Sequence, residues 1–183
     1  MAAYLRIFIG LLVLAGGAIA LRWWSEDRLE HSQDQNIRTV AARYRLEPAL
    51  IKAIVWKESR FNPQVRGKVG ELGLMQLRED AAQEWADEEQ VAAFDHSHCT
   101  DPVTNLLAGT YYLAKLMRRY TQTDNPVPYA LADYNAGRSN VLRWNKGEAS
   151  TNSTAFIAQI GFPGTRDYIL SIMRRQDHYR DFR

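Results

Sequence analysis

The chain has little of what staples or labels a small protein. One cysteine, Cys99, occurs among 183 residues, which excludes an intrachain disulfide framework and a zinc site built from cysteines alone. Neither sign of charge dominates: 23 Lys and Arg against 21 Asp and Glu leave +2, with no dense basic stripe, so nothing points to nucleic acid. There is no internal repeat and no convincing run of alternating strand residues. Hydrophobic residues at 46% and charged residues at 24% exclude disorder and collagen-like repeats. The length suits one domain with a small appendage.

One long apolar run is present. Ile7 to Leu21 carries no charge, with Arg6 before it and Arg22-Trp23-Trp24 after it. Two readings stand side by side. A positive start, an apolar stretch and Ala18-Ile19-Ala20 fit a secretory signal cleaved after Ala20. Alternatively, residues 4–21 form a short membrane anchor with Trp23 and Trp24 in the interface. Such a helix covers only roughly 22 Å from Ile7, but Tyr4 and Leu5 extend it and both arginines can snorkel. Either reading sends the rest of the chain across a membrane. The division expected is 1–24 signal or inner-membrane anchor, 25–35 polar linker, and 36–183 a single folded domain.

That domain reads as mainly α. Ile37, Val40, Ala41 and Tyr44 recur at helical spacing. Pro48 suits the first turn of a helix bearing Leu50, Ile51, Ile54 and Val55, closed by Asn62-Pro63. Residues 64–77 are glycine-punctuated and irregular, and Asp80 to Ala86 forms a short helix. Asp101-Pro102 is an N-cap followed by proline at N1. Pro126 and Pro128 open a further helix that stops near Gly137, and Thr165 is expected to cap the last one.

One carboxylate falls in an unusual place. On the helix from Pro48, Glu58 shares the face of Ile51, Ile54 and Val55. Burial there, next to a helix C-terminus, raises a carboxyl pKa, as a general acid at neutral pH requires. A helix fraying before Glu58 would turn it to water instead. The surrounding residues form an ordered series: Glu58-Ser59, Phe61-Asn62-Pro63; Gly70, Gly73-Leu74-Met75-Gln76; Asp101-Pro102, Asn105, Gly109, Tyr112-Leu113; Ala130-Leu131-Ala132 and Tyr134-Asn135-Ala136-Gly137.

This series resembles the soluble lytic transglycosylase (SLT) domain family, over roughly residues 43–175. The resemblance implies a lysozyme-like fold and cleavage of the β-1,4 bond between N-acetylmuramic acid and N-acetylglucosamine in peptidoglycan strands. It implies a 1,6-anhydromuramoyl product and one glutamate, Glu58, serving as acid and then base. Ser59 is expected to hydrogen-bond near it. Gly70 and Gly73 would let backbone approach the glycan, with Met75 an apolar contact and Gln76 an amide for acetamido groups. Tyr134 and Asn135 would line the cleft, and Tyr168 would reach the catalytic region. No cofactor and no metal are implied, and nothing calls for more than a monomer.

The chain departs from the family pattern at several points. Glu71 and Asp133 stand where alanine is usual, Arg78-Glu79 replaces methionine-proline, Arg138 replaces proline, and Gly164 replaces a glutamate. Glu71 and Asp133 keep open a lysozyme-type hydrolase with a second carboxylate. A noncatalytic wall-binding scaffold is the third reading, and retention of Glu58 argues against it. His96, His98 and Cys99 could suggest zinc, but adjacent His98 and Cys99 are cramped for one tetrahedral centre. The segment reads as a polar surface loop before Asp101.

Overall fold

A computed structural model describes the backbone of residues 2–182 and the side chains of residues 15–182. Among them are nine α-helices and no strand: α1 (Ala2–His31), α2 (Asp34–Tyr44), α3 (Pro48–Ser59), α4 (Glu79–Glu88), α5 (Pro102–Arg119), α6 (Pro126–Ala136), α7 (Arg138–Trp144), α8 (Ser153–Gln159) and α9 (Pro163–His178). Short 3-10 turns cover His96–Thr100 and Gly147–Ser150. The architecture is the helical one that the sequence implies.

Local chemistry sets the helix ends. Pro48, Pro102, Pro126 and Pro163 each occupy a first turn, where a missing N–H costs nothing. Asp101 caps α5 by accepting from Thr104 N–H, Asn125 caps α6 from Val127 N–H, and Asn152 caps α8 from Ala155 N–H. Thr165 caps nothing. Helix α9 already starts at Pro163, and buried Thr165 donates its hydroxyl to Asn135 Oδ1. Helix α3 stops at Arg60, a left-handed residue (φ 52°) whose N–H bonds back to Trp56.

Helix α3 runs through the middle. Leu50, Ile51, Ala53, Ile54 and Val55 are all buried, and the helix packs on α2 and α9. Helix α5 lies against α2, α4 and α6, and α6 against α9. Leu74, Met75, Leu106, Leu113, Tyr129, Phe156, Ile169 and Ile172 complete one apolar core. Burial of that set supplies the main drive for folding.

The polar stretch 25–35, expected as a linker, is largely helical. Helix α1 continues through it to His31, and α2 begins at Asp34. Its charges have partners in the domain. Glu30 accepts from Tyr179 Oη at 2.7 Å and pairs with Arg175, while Asp34 Oδ1 lies 2.6 Å from Nζ of Lys52. Those contacts fix backbone that composition alone marks as solvated. Most of the apolar run lies outside the described side chains. Among the described residues no helix is long and apolar enough to cross a membrane.

Candidate active site

Glu58 stands on the last turn of α3, half-buried, beside a cleft of about 550 Å³. Opposite it are Tyr134 and Asn135 from the end of α6. The loop residues Gly67, Lys68, Glu71 and Gln76 form another wall, with Arg78 and Asp80 beyond. Tyr168 on α9 donates its hydroxyl to Glu58 Oε1 at 2.5 Å.

The Glu58 carboxyl is pushed up from its ordinary 4.5 to about 7. Burial is the main cause. The Tyr168 hydrogen bond and the Lys57 charge oppose it, and the Glu71 charge adds to it. Near neutrality the group therefore holds a proton on part of the molecules and releases it on the rest, which suits a residue that must donate and then accept. Tyr134 and Tyr168 have hydroxyls pushed well above 10 by burial and by the Glu58 charge, so both remain hydrogen-bond donors.

The residues named from the sequence divide into two groups. Glu58, Gln76, Tyr134 and Asn135 line the cleft, and Tyr168 touches Glu58 from behind. Tyr134 donates to the Met75 carbonyl at 2.6 Å, tying α6 to the loop, and Asn135 is held by Thr165. The second group sits beneath the surface. Ser59 donates not to Glu58 but within reach of the Leu74 and Val55 carbonyls, at 2.8 and 3.1 Å. The Met75 side chain, expected to touch sugar, is fully buried against Gly109 and Thr110. Gly73 is glycine for a reason other than glycan approach: a Cβ there would stand 2.3 Å from Asn105 Nδ2 and from the Cys99 carbonyl. Its φ of 76° also disfavours any side chain. Gly70 faces open space with φ 96°, and serves a turn.

Asn105 organises this layer and stands outside the residues assigned to the site from sequence. Its Oδ1 accepts from Met75 N–H at 2.8 Å, and its Nδ2 donates to the Leu72 and Cys99 carbonyls at 2.8 and 2.9 Å. The signal available was its place in the Asp101 series. A buried amide that uses both its hydrogens and its oxygen is what a rigid loop needs.

The remaining charged candidates have settled environments. Asp133 is buried at the cleft wall, where its Oδ2 accepts from Arg119 at 3.0 Å and from Tyr120 at 2.7 Å. His96 bonds the Leu77 carbonyl, and His98 accepts from Asp95 N–H. Cys99 is fully buried rather than part of a surface loop, and burial raises its thiol to about 11. Among the described residues no cluster of three or more His, Cys, Asp or Glu is arranged to hold a metal.

The all-helical domain, with half-buried Glu58 at a helix end facing an open cleft, is of the lysozyme-like class of folds. Residues 35–157 match the family model described as Transglycosylase SLT domain, and the chain belongs to that family. The soluble lytic murein transglycosylase of Escherichia coli (strain K12) is 29% identical over 168 residues, covering 90% of this chain and 26% of that protein. Membrane-bound lytic murein transglycosylase C of Yersinia pestis (strain Pestoides F) is 30% identical over 176 residues, 85% of this chain and 49% of the relative. The solved 70-kDa soluble lytic transglycosylase of Escherichia coli aligns with a TM-score of 0.74 at 27% identity, over 90% of this chain and 27% of that one. An inactive glutamate-to-glutamine mutant of lytic transglycosylase Slt from Pseudomonas aeruginosa gives 0.76 at 25% identity, over 84% and 25%. The chain thus spans about a quarter of the soluble relatives and about half of the membrane-bound one.

Proposed function

We propose that this protein is a peptidoglycan lytic transglycosylase acting in the cell envelope. The observation that carries the reading is the Glu58 carboxyl, raised to about 7 and held by Tyr168 beside an open cleft of about 550 Å³. Relatives named as lytic murein transglycosylases, and a relative inactivated by one glutamate-to-glutamine change, support it.

In this reading Glu58 first gives its proton to the oxygen of the MurNAc-β-1,4-GlcNAc bond, and the bond to the anomeric carbon breaks. The resulting carboxylate then takes the proton of the muramic 6-hydroxyl, whose oxygen attacks that carbon. A 1,6-anhydro ring closes, no water is consumed, and Glu58 ends protonated. Tyr168 holds the carboxyl in place for both transfers. Tyr134, Asn135 and Gln76 provide the polar lining against which the glycan is oriented. Residues 1–24 serve as export signal or inner-membrane anchor, and the first residue of the mature chain separates the two.

Digestion of isolated peptidoglycan followed by mass spectrometry tests the assignment. Fragments lighter than the reducing-end form by one water are expected from the wild type. Glu58→Gln is expected to lower their release by about 10²–10⁴-fold, the usual worth of a general acid–base. Reducing-end fragments would instead make the protein a hydrolase. Unchanged release by Glu58→Gln would remove Glu58 from the mechanism.

A further inference from the structure

Two side-chain oxygens, from Glu71 and Gln76, come together in the loop wall of the cleft. A Cβ on Gly67 would stand 2.1 Å from Glu71 Oε2 and 3.0 Å from Gln76 Oε1, so the two side chains close around the space that the glycine leaves. Glu71 is fixed there, because its Oε2 accepts from Val69 N–H at 3.1 Å. Gln76 is fixed too. Its Nε2 donates both hydrogens, to the Val65 and Gly73 carbonyls at 3.0 and 2.8 Å. Those carbonyls only accept, so the amide has one allowed orientation and its Oε1 is the free end.

Among the described residues, Glu71 Oε1 and Gln76 Oε1 take no protein donor. The cations of the same cleft do not fill the gap. Lys68 makes no ion pair among the described residues, and Arg78 turns to Asp80 at 3.9 Å. Gln76 also holds a left-handed backbone (φ 47°), a conformation that a non-glycine residue adopts at some cost. A carboxylate with one bond made and an amide oxygen with none, both on residues that line the cleft, keep acceptor capacity to spare. A hydroxyl would bring its own lone pairs to them, and an amide N–H would satisfy one. A primary ammonium carries three donors, no acceptor, and the charge that strengthens a bond to a carboxylate.

We propose that Glu71 and Gln76 form an acceptor pair that selects a primary ammonium on the substrate, making Glu71 a specificity-determining residue of the cleft. The inference rests on the glycan-cleaving reading for the nature of the ligand. In peptidoglycan that ammonium has two sources: an amino sugar that has lost its acetyl group, or the free side-chain amine of a diamino acid in the stem peptide.

Binding measured by calorimetry on the full chain, in mild detergent and in the non-cleaving Glu58→Gln form, tests the pair without needing turnover. One arm compares a glucosamine tetramer with an N-acetylglucosamine tetramer at mildly acidic pH. The other compares a disaccharide peptide bearing a free diamino-acid amine with the same compound acetylated on that amine. The amine form is expected to bind about tenfold more tightly in one arm, which names the source. Adding Glu71→Gln, which keeps an acceptor for Val69 N–H, is expected to abolish that ratio, and Glu71→Ala to do the same. Equal binding within both pairs, or a ratio that survives both substitutions, would overturn the proposal. Absence of anhydro products from the wild type, with the amine preference intact, would count against the cleavage reading alone.

Discussion

Two of the ionisable side chains on helix α3, Lys52 and Glu58, are treated by the fold in opposite ways. Six residues separate them, roughly 240° around the helix, so they leave it on different faces. Lys52 is 1% exposed, yet Asp34 accepts from it at 2.6 Å and the rings of Phe182 and Tyr179 lie 4.3 and 5.1 Å from its nitrogen. Glu58 is half-buried, receives one hydroxyl and has no ion pair among the described residues. A buried charge with a partner is structural. A buried acid left without a cation keeps its proton, and that proton is available for chemistry.

The sharpest way to break the contrast is to remove the partner of Lys52. Asp34→Ala is expected to cost about 3 kcal/mol in a urea titration, because it strands a desolvated ammonium. Lys52→Met should cost less, about 1 kcal/mol, since the carboxylate left behind reaches water. Equal costs would mean that the pair is not as asymmetric as its burial indicates.

The second test concerns Glu58 and pH. Its folded pKa lies near 7 and its ordinary value is 4.5, so between them the folded state binds more protons than the unfolded one. Stability is therefore fully present below about 4.5 and falls as pH rises through about 7. The loss should be up to about 2 kcal/mol, discounted for the partial exposure of the group. In Glu58→Gln this component of the slope disappears, so the melting-temperature difference between variant and wild type should grow in the variant's favour up to pH near 7. A pH-independent difference would show that Glu58 is solvated.

The smallest expected effect sharpens the same point. Tyr168→Phe removes a donor that favours the Glu58 carboxylate, so the Glu58 pKa should rise further above about 7. The alkaline limb of the activity profile is expected to move up by less than about one pH unit, with kcat reduced about tenfold through lost positioning. A downward shift would mean that the hydroxyl does not donate to Glu58.

Much of this was legible in the sequence, for reasons that can be named. Pro48, Pro102, Pro126 and the Asp101 cap fix helix starts by local sterics, and those starts stand where the sequence puts them. The start of α9 was missed because Pro163 sits two residues before the more familiar capping type at Thr165, whose hydroxyl is taken by Asn135. Glu58 was visible because an acid breaks an apolar stripe. Lys52 was not, because its partner lies on another helix and spacing within α3 does not show it. The same limit applies to Met75 and Gly73. Sequence order places them next to Gln76, but which neighbour faces the cleft depends on the Asn105 amide, which joins the loop to α5 from within.

Helix α9 meets Glu58 through Tyr168 and, two turns later, meets Glu30 through Arg175, with Tyr179 just beyond its end. It is a beam bolted at both ends. The backbone preceding Glu30 is itself helical, so no slack hinge separates that segment from the beam. Whatever bearing residues 2–29 take as they leave the domain, the opening of the cleft takes a set bearing relative to it.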